Sequence, residues 1–167
     1  MTFDTELNRQ LGFILKKDDR SASELSRLLG HEPNWLARKH RWHIWELREL
    51  LYYLDHEKQS LNNPKGRINK MIGLNGISQS SMRLFYDDHM LAPAIFKSVF
   101  ADVSGIVTLT GISAPHIYRF IRVEGDMSVE NVAKMIKATK ELKRRVKKRD
   151  TEATLVSFYE WLWQKPF

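Results

Sequence analysis

Between Lys134 and Arg149 the chain carries nine basic side chains (Lys134, Lys137, Lys140, Lys143, Arg144, Arg145, Lys147, Lys148, Arg149) against one acid, Glu141. Positive charge at that density attracts a polyanion and releases its counterions on binding; the same run can also be the solvated face of a helix. The rest of the chain does not repeat it, since basic and acidic residues balance over positions 1–60 and the formal net charge of the whole is +7. Two other groups have residue types that can do chemistry. His40 and His43 would bring two imidazoles together on a helix, but no cysteine or nearby carboxylate completes a site, and a metal needs three or four ligands. Asp87-Asp88-His89 supplies acids with no nucleophile and no glycine-rich phosphate loop beside them. That composition equally suits a turn or a helix start. The residues assemble no catalytic constellation, and the chain is read as a non-enzyme without cofactor or metal.

The elements that must position these residues announce themselves through a repeated phrase. Ile72-Gly73-Leu74-Asn75-Gly76-Ile77-Ser78, with Met82 and Phe85 after it, recurs as Val107-Thr108-Leu109-Thr110-Gly111-Ile112-Ser113, followed by Ile117 and Phe120. In each copy an apolar helix ends at Leu-x-Gly, where glycine can take the left-handed backbone of a tight turn, and a serine stands where an N-cap hydroxyl starts the next helix. Both copies read as helix-turn-helix units. A third, more divergent version has Leu28-Leu29-Gly30 followed by Leu36.

Hydrophobic periodicity predicts helices near 4–17, 21–29, 33–41, 44–54, 67–74, 78–86, 93–101, 103–110, 114–122, 128–148 and 152–164, and almost no strand. Ser21-Ala22-Ser23-Glu24 has the spacing of a capping box, and Pro33 suits a first helical turn. The cluster Trp35, Trp42, Trp45, Tyr52 and Tyr53 could stack on bases, but Trp45, Leu47 and Tyr52 have the spacing of a core face. Ser60 to Gly66, rich in Asn, Pro and Gly, reads as a linker between an N-terminal helical domain (1–59) and a C-terminal domain (67–167). The expected architecture is all-α: tandem helix-turn-helix bundles, a basic C-terminal helix and an aromatic terminal helix. In that last helix Leu155, Phe158, Tyr159 and Leu162 share one face, flanked by Trp161 and Trp163, an apolar area that predicts a homodimer contact. No apolar run is long enough to span a bilayer, residues 1–20 lack a secretory signal pattern, and a cytoplasmic location is expected.

Residues 103–138, from Val103-Ser104-Gly105 through Gly111-Ile112-Ser113, Ile117 and Phe120 to Gly125-Asp126-Met127-Ser128 and Ile136, resemble the lambda-repressor-like, or Xre-type, DNA-binding family. Residues 21–54 resemble it less closely. The resemblance implies a brace helix, a turn, and a recognition helix inserted into the DNA major groove. Carried onto the last copy, it places Ser113, Ala114, Pro115 and Arg119 toward base edges and His116 and Arg122 near the backbone. An arginine at position 119 can donate two hydrogen bonds to guanine O6 and N7; it can also be a surface cation paired with Glu124. In the middle copy the exposed positions are Gln79 and Ser81, with Leu84 where the family presents a polar side chain. In the first copy they are Asn34 and Arg38, with His31 and Glu32 in place of Ile-Ser and Lys39 where the family buries an apolar residue.

The expected function is a sequence-specific DNA-binding regulator of repressor type, bacterial or from a mobile element, that occupies double-stranded operator DNA. Lys143, Arg144, Arg145, Lys147 and Lys148 would add phosphate contacts. The alternative is a protein-binding module on the same scaffold, an inhibitor or antirepressor, which Leu84 and the neutral N-terminal half would suit.

Overall fold

The computed structural model describes residues 2–56, 62–74, 92–143 and 148–163, with side chains outside 52–56, 62–65, 143 and 148–154. Among the described residues are nine α-helices and, apart from one antiparallel bridge between His43 and Ser128, no β structure. The predicted helix 78–86 lies outside them.

Local chemistry sets the helix starts. Thr2 Oγ1 accepts the N–H of Thr5 at the head of α1 (Phe3–Leu15), whose Leu7, Leu11 and Ile14 are buried on one face. Ser21 Oγ accepts the N–H of Glu24 to cap α2 (Ala22–Leu28), and its hydroxyl donates to Glu24 Oε1 at 3.3 Å, so the serine half of the capping box forms while the carboxylate meets the hydroxyl rather than the backbone N–H of Ser21. The helix predicted over 33–41 does not form. Residues 33–38 are consecutive turns, because the N–H of Leu36 is committed to Ser26 Oγ rather than to the carbonyl of Glu32. Lys39, which the family pattern would make apolar, is half-buried beside Glu46, with its ammonium 5.3 Å from the Trp35 ring and 5.6 Å from that of Trp42.

Helix α3 (Ile44–His56) is followed by α4 (Asn62–Ile72), so a helix starts inside the segment read as a linker. Pro64 falls in the first turn, where a missing N–H removes no hydrogen bond. The middle phrase also turns at a different place from the one its sequence suggests. Gly73 takes the left-handed conformation (φ +91), three positions before the Gly76 that aligns with Gly111, and α4 stops there. Residues 75–78 of the middle phrase, Gly76 among them, lie outside the described residues.

The remaining helices are α5 (Ala92–Val99), α6 (Val103–Thr110), α7 (Ala114–Ile121), α8 (Val129–Lys143) and α9 (Lys148–Trp163). Helix α1 packs on α4, α6 on α8, and α9 lies against both α5 and α3. Buried side chains from Leu7 to Trp163 form one cluster. At its centre the Phe96 ring stacks on Phe120 at 4.6 Å and meets the edge of Trp161 at 4.7 Å. Trp42 and Leu47 are buried and Trp45 packs edge-on to Phe96 and Trp161, the core role that the spacing of this aromatic group indicates.

The C-terminal helix corrects one expectation. Leu155, Phe158, Tyr159, Trp161, Leu162 and Trp163 are all buried within the chain itself. Trp163 Nε1 donates to Asn69 Oδ1 at 2.9 Å, and Arg48 Nε donates to the carbonyl of Trp161. The aromatic surface that predicts a dimer contact is therefore occupied by α3, α4 and α5. Periodicity reports that a face must be covered, not by what. Among the described residues no single helix is long and apolar enough to cross a membrane.

Candidate nucleic-acid interface

Helices α6 and α7 and the turn between them follow from a few side chains. Asp102 Oδ1 accepts the N–H of Gly105 to start α6. Gly105 lets α8 approach closely, since a Cβ there would come within 2.8 Å of the Leu142 methyls. Gly111 ends the helix at φ +76, with its N–H on the carbonyl of Val107. Thr110 Oγ1 accepts from the N–H of Ile112, which fixes the next step of the turn. Ser113 then takes the extended N-cap conformation and its carbonyl accepts from Ile117, but its hydroxyl makes no capping bond. The boundaries of both helices thus fall where the sequence places them, while the Ser113 hydroxyl stays open to solvent.

Helix α7 turns Ile117, Phe120 and Ile121 into the core. Its exposed residues Pro115, Tyr118 and Arg119, with the exposed C-cap Arg122, recur at spacings of three, one and three, which puts them on one outward face. Ala114 and His116 are half-buried at its margin. The helix contains no acidic residue. Among the described residues no carboxylate pairs with Arg119; the backbone N–H of Glu124 donates to the carbonyl of Arg119 at 2.9 Å. The Arg122 guanidinium carbon sits 5.6 Å from the centroid of the Tyr118 ring. Tyr118 is the outward-facing residue that pattern reading passes over, because an aromatic side chain on an amphipathic helix is ordinarily counted with the core. Its place one step from Ile117, on the far side of the buried stripe, was the available signal.

The chain leaves α7 through a second left-handed residue, Val123 (φ 60), with its N–H on the carbonyl of Phe120. A short backbone ladder then ties this region to the N-terminal half: Ile44 N–H to Met127 O at 2.8 Å, and Val129 N–H to Trp42 O at 2.9 Å. Asp126 Oδ1 accepts from the N–H of Met127 and, at 3.4 Å, from that of Trp45.

The other expected contact residues are distributed differently. Asn34 and Arg38 are exposed, but on the run of turns, so the first phrase presents no recognition helix. Lys134 and Lys137 are exposed on α8 and have no ion pair among the described residues; burial together with the Lys137 charge lowers the pKa of half-buried Lys140. Gln79, Ser81, Arg144, Arg145 and Lys147 lie outside the described residues, as do the side chains of Lys143 and Lys148 at the end of α8 and the start of α9. The cluster Asp87-Asp88-His89 also lies outside them. His40 and His43 line an open cleft of about 600 Å³ with Arg41, Thr2, Thr5, Asn8, Ser128 and the acids Asp4 and Glu130. Its charge is mixed, and no group of three metal-ligating residues occurs among the described residues. No family model, curated protein or solved structure matches the chain.

Proposed function

We propose that the chain is a sequence-specific DNA-binding regulator of repressor type, reading the major groove with α7. The observation that carries the proposal is the outward face of that helix. Two arginines free of ion pairs among the described residues stand there with no carboxylate on the helix, after a turn set by the left-handed Gly111. Arg119 supplies the base-reading fork, and the exposed lysines of α8 add to the positive field. The likeness of residues 103–138 to Xre-type modules supports the same assignment. The protein-binding alternative draws on Leu109 and Tyr118, which are 49 % and 45 % exposed near the same turn.

Selection of bound fragments from a random duplex pool at near-physiological salt tests the proposal. An enriched motif is expected, and Arg119→Ala should cost about 1–3 kcal/mol on that motif with little loss on random duplex. Failure to enrich any motif would overturn sequence-specific reading and advance the protein-binding module.

A further inference from the structure

Arg122 is held in place more firmly than its exposure suggests. Its backbone N–H bonds to the carbonyl of Tyr118 at 3.0 Å, the next residue is left-handed, and the N–H groups of Val123 and Glu124 close back onto Phe120 and Arg119. Those bonds fix the main chain at the helix end. The Arg122 side chain has no hydrogen bond or ion pair among the described residues, and its guanidinium lies over the Tyr118 ring at 5.6 Å. A cation over a ring is held by the ring's quadrupole rather than by a hydrogen bond, so the donors of the guanidinium remain available to an anion. The ring thereby narrows the rotamers of a long side chain without using its donors.

We infer that Tyr118 is a positioning residue that holds Arg122 for a phosphodiester oxygen of the DNA backbone, while Arg119 on the same face reads a base. This inference rests on the reading of α7 as the DNA-binding helix. The division follows from environment. Among the described residues no ring lies beneath Arg119, which is free to adjust to a base edge, whereas Arg122 is pre-organised at the helix end for a contact that carries no sequence information.

The test measures binding of the full chain to a selected duplex and to a random duplex across a range of salt. It uses Tyr118→Ala, Tyr118→Phe, Arg122→Ala and the Tyr118→Ala/Arg122→Ala double variant. Arg122→Ala should weaken both duplexes alike and flatten the log–log salt slope by about 0.9. Tyr118→Ala should weaken both by about two- to fivefold. It should add nothing once Arg122 is gone, and Tyr118→Phe should bind as the parent does. Equal losses from Tyr118→Ala with and without Arg122 would show that the tyrosine acts alone. A loss in Tyr118→Phe as large as in Tyr118→Ala would move the contact to the hydroxyl, and either result overturns the inference. If Arg119→Ala weakens binding while none of these variants does, the pairing role is wrong and the DNA reading stands. If the parent chain binds neither duplex, both are wrong.

Discussion

Replacing Gly111 by alanine isolates the turn that presents α7. The glycine has φ +76, and no heavy atom lies within 4 Å of the position a Cβ would take. The substitution therefore creates no clash, and the whole effect must come from the backbone. Holding an L-residue in the left-handed region costs about 1–2 kcal/mol. The stiffer unfolded chain of the alanine variant returns roughly 0.4–1 kcal/mol of that. The net expectation is a loss of about 1 kcal/mol, a fall in Tm of about 2–4 °C for a chain of this size. Asparagine tolerates the left-handed region better, and Gly111→Asn should fall between glycine and alanine. Gly30, at φ +81 and equally open, ends α2 and serves as an independent copy of the same experiment. Urea denaturation of the three variants gives the comparison. A Gly111→Ala midpoint equal to the parent's, with Gly30→Ala shifted as expected, would refute the left-handed turn between α6 and α7. A loss well above 3 kcal/mol would show a neighbour where the structure has open space.

Three further outcomes are expected. Phe158 is fully buried against the rings of Phe96, Phe100 and Trp161, so Phe158→Ala should cost about 3–5 kcal/mol in denaturant unfolding; a cost below 1 kcal/mol would mean that α9 does not complete the core. Burial tends to raise the Glu46 carboxyl, but hydrogen bonds from Lys39 and the His43 N–H outweigh it and hold the pKa below the ordinary value, so its stabilisation is present above the usual carboxylate range and is lost as pH falls through the folded value. Glu46→Gln should then be less stable than the parent by about 1 kcal/mol at neutral pH, with the gap closing below about pH 4, and a gap constant over that range would exclude the charge as its source. Neutralising Lys143, Arg144, Arg145, Lys147 and Lys148 should flatten the salt slope of DNA binding by about 0.9 for each phosphate that no longer meets a cation, whereas an unchanged slope would make the run a solvated face.

What the sequence made legible was local. The limits of α6 follow from Asp102 and Gly111, whose side chain or missing Cβ acts on the backbone on the spot, and α7 begins directly after that turn. Phrases that needed a distant partner misled. Pro33-Asn34 looks like a helix start, yet the N–H of Leu36 goes to Ser26, ten positions away. Gly76 aligns with Gly111, but α4 turns at Gly73, whose hypothetical Cβ would stand 3.0 Å from an Ile136 methyl. The helix there ends where α8 meets it, and a repeat in the sequence cannot report that. The apolar face of α9 was plain, while its cover, α3 and α5, became visible only in three dimensions. At the site, Arg119 stood out by type and position; Tyr118 did not, because its outward placement depends on which stripe of α7 is buried.

The ties that α9 makes across the chain bear on how fast it can fold. Arg48 reaches Trp161 over 113 positions and Trp163 reaches Asn69 over 94, so the bonds that seal the core are among the most distant in the sequence. Helical proteins usually fold quickly because their contacts are local. Here the helices can form early, but the core closes only after long loops have been brought together, an entropic cost that precedes any gain from packing. Folding should be slower than the helix content alone suggests, with amide protection in α3 and α9 appearing together in the last step.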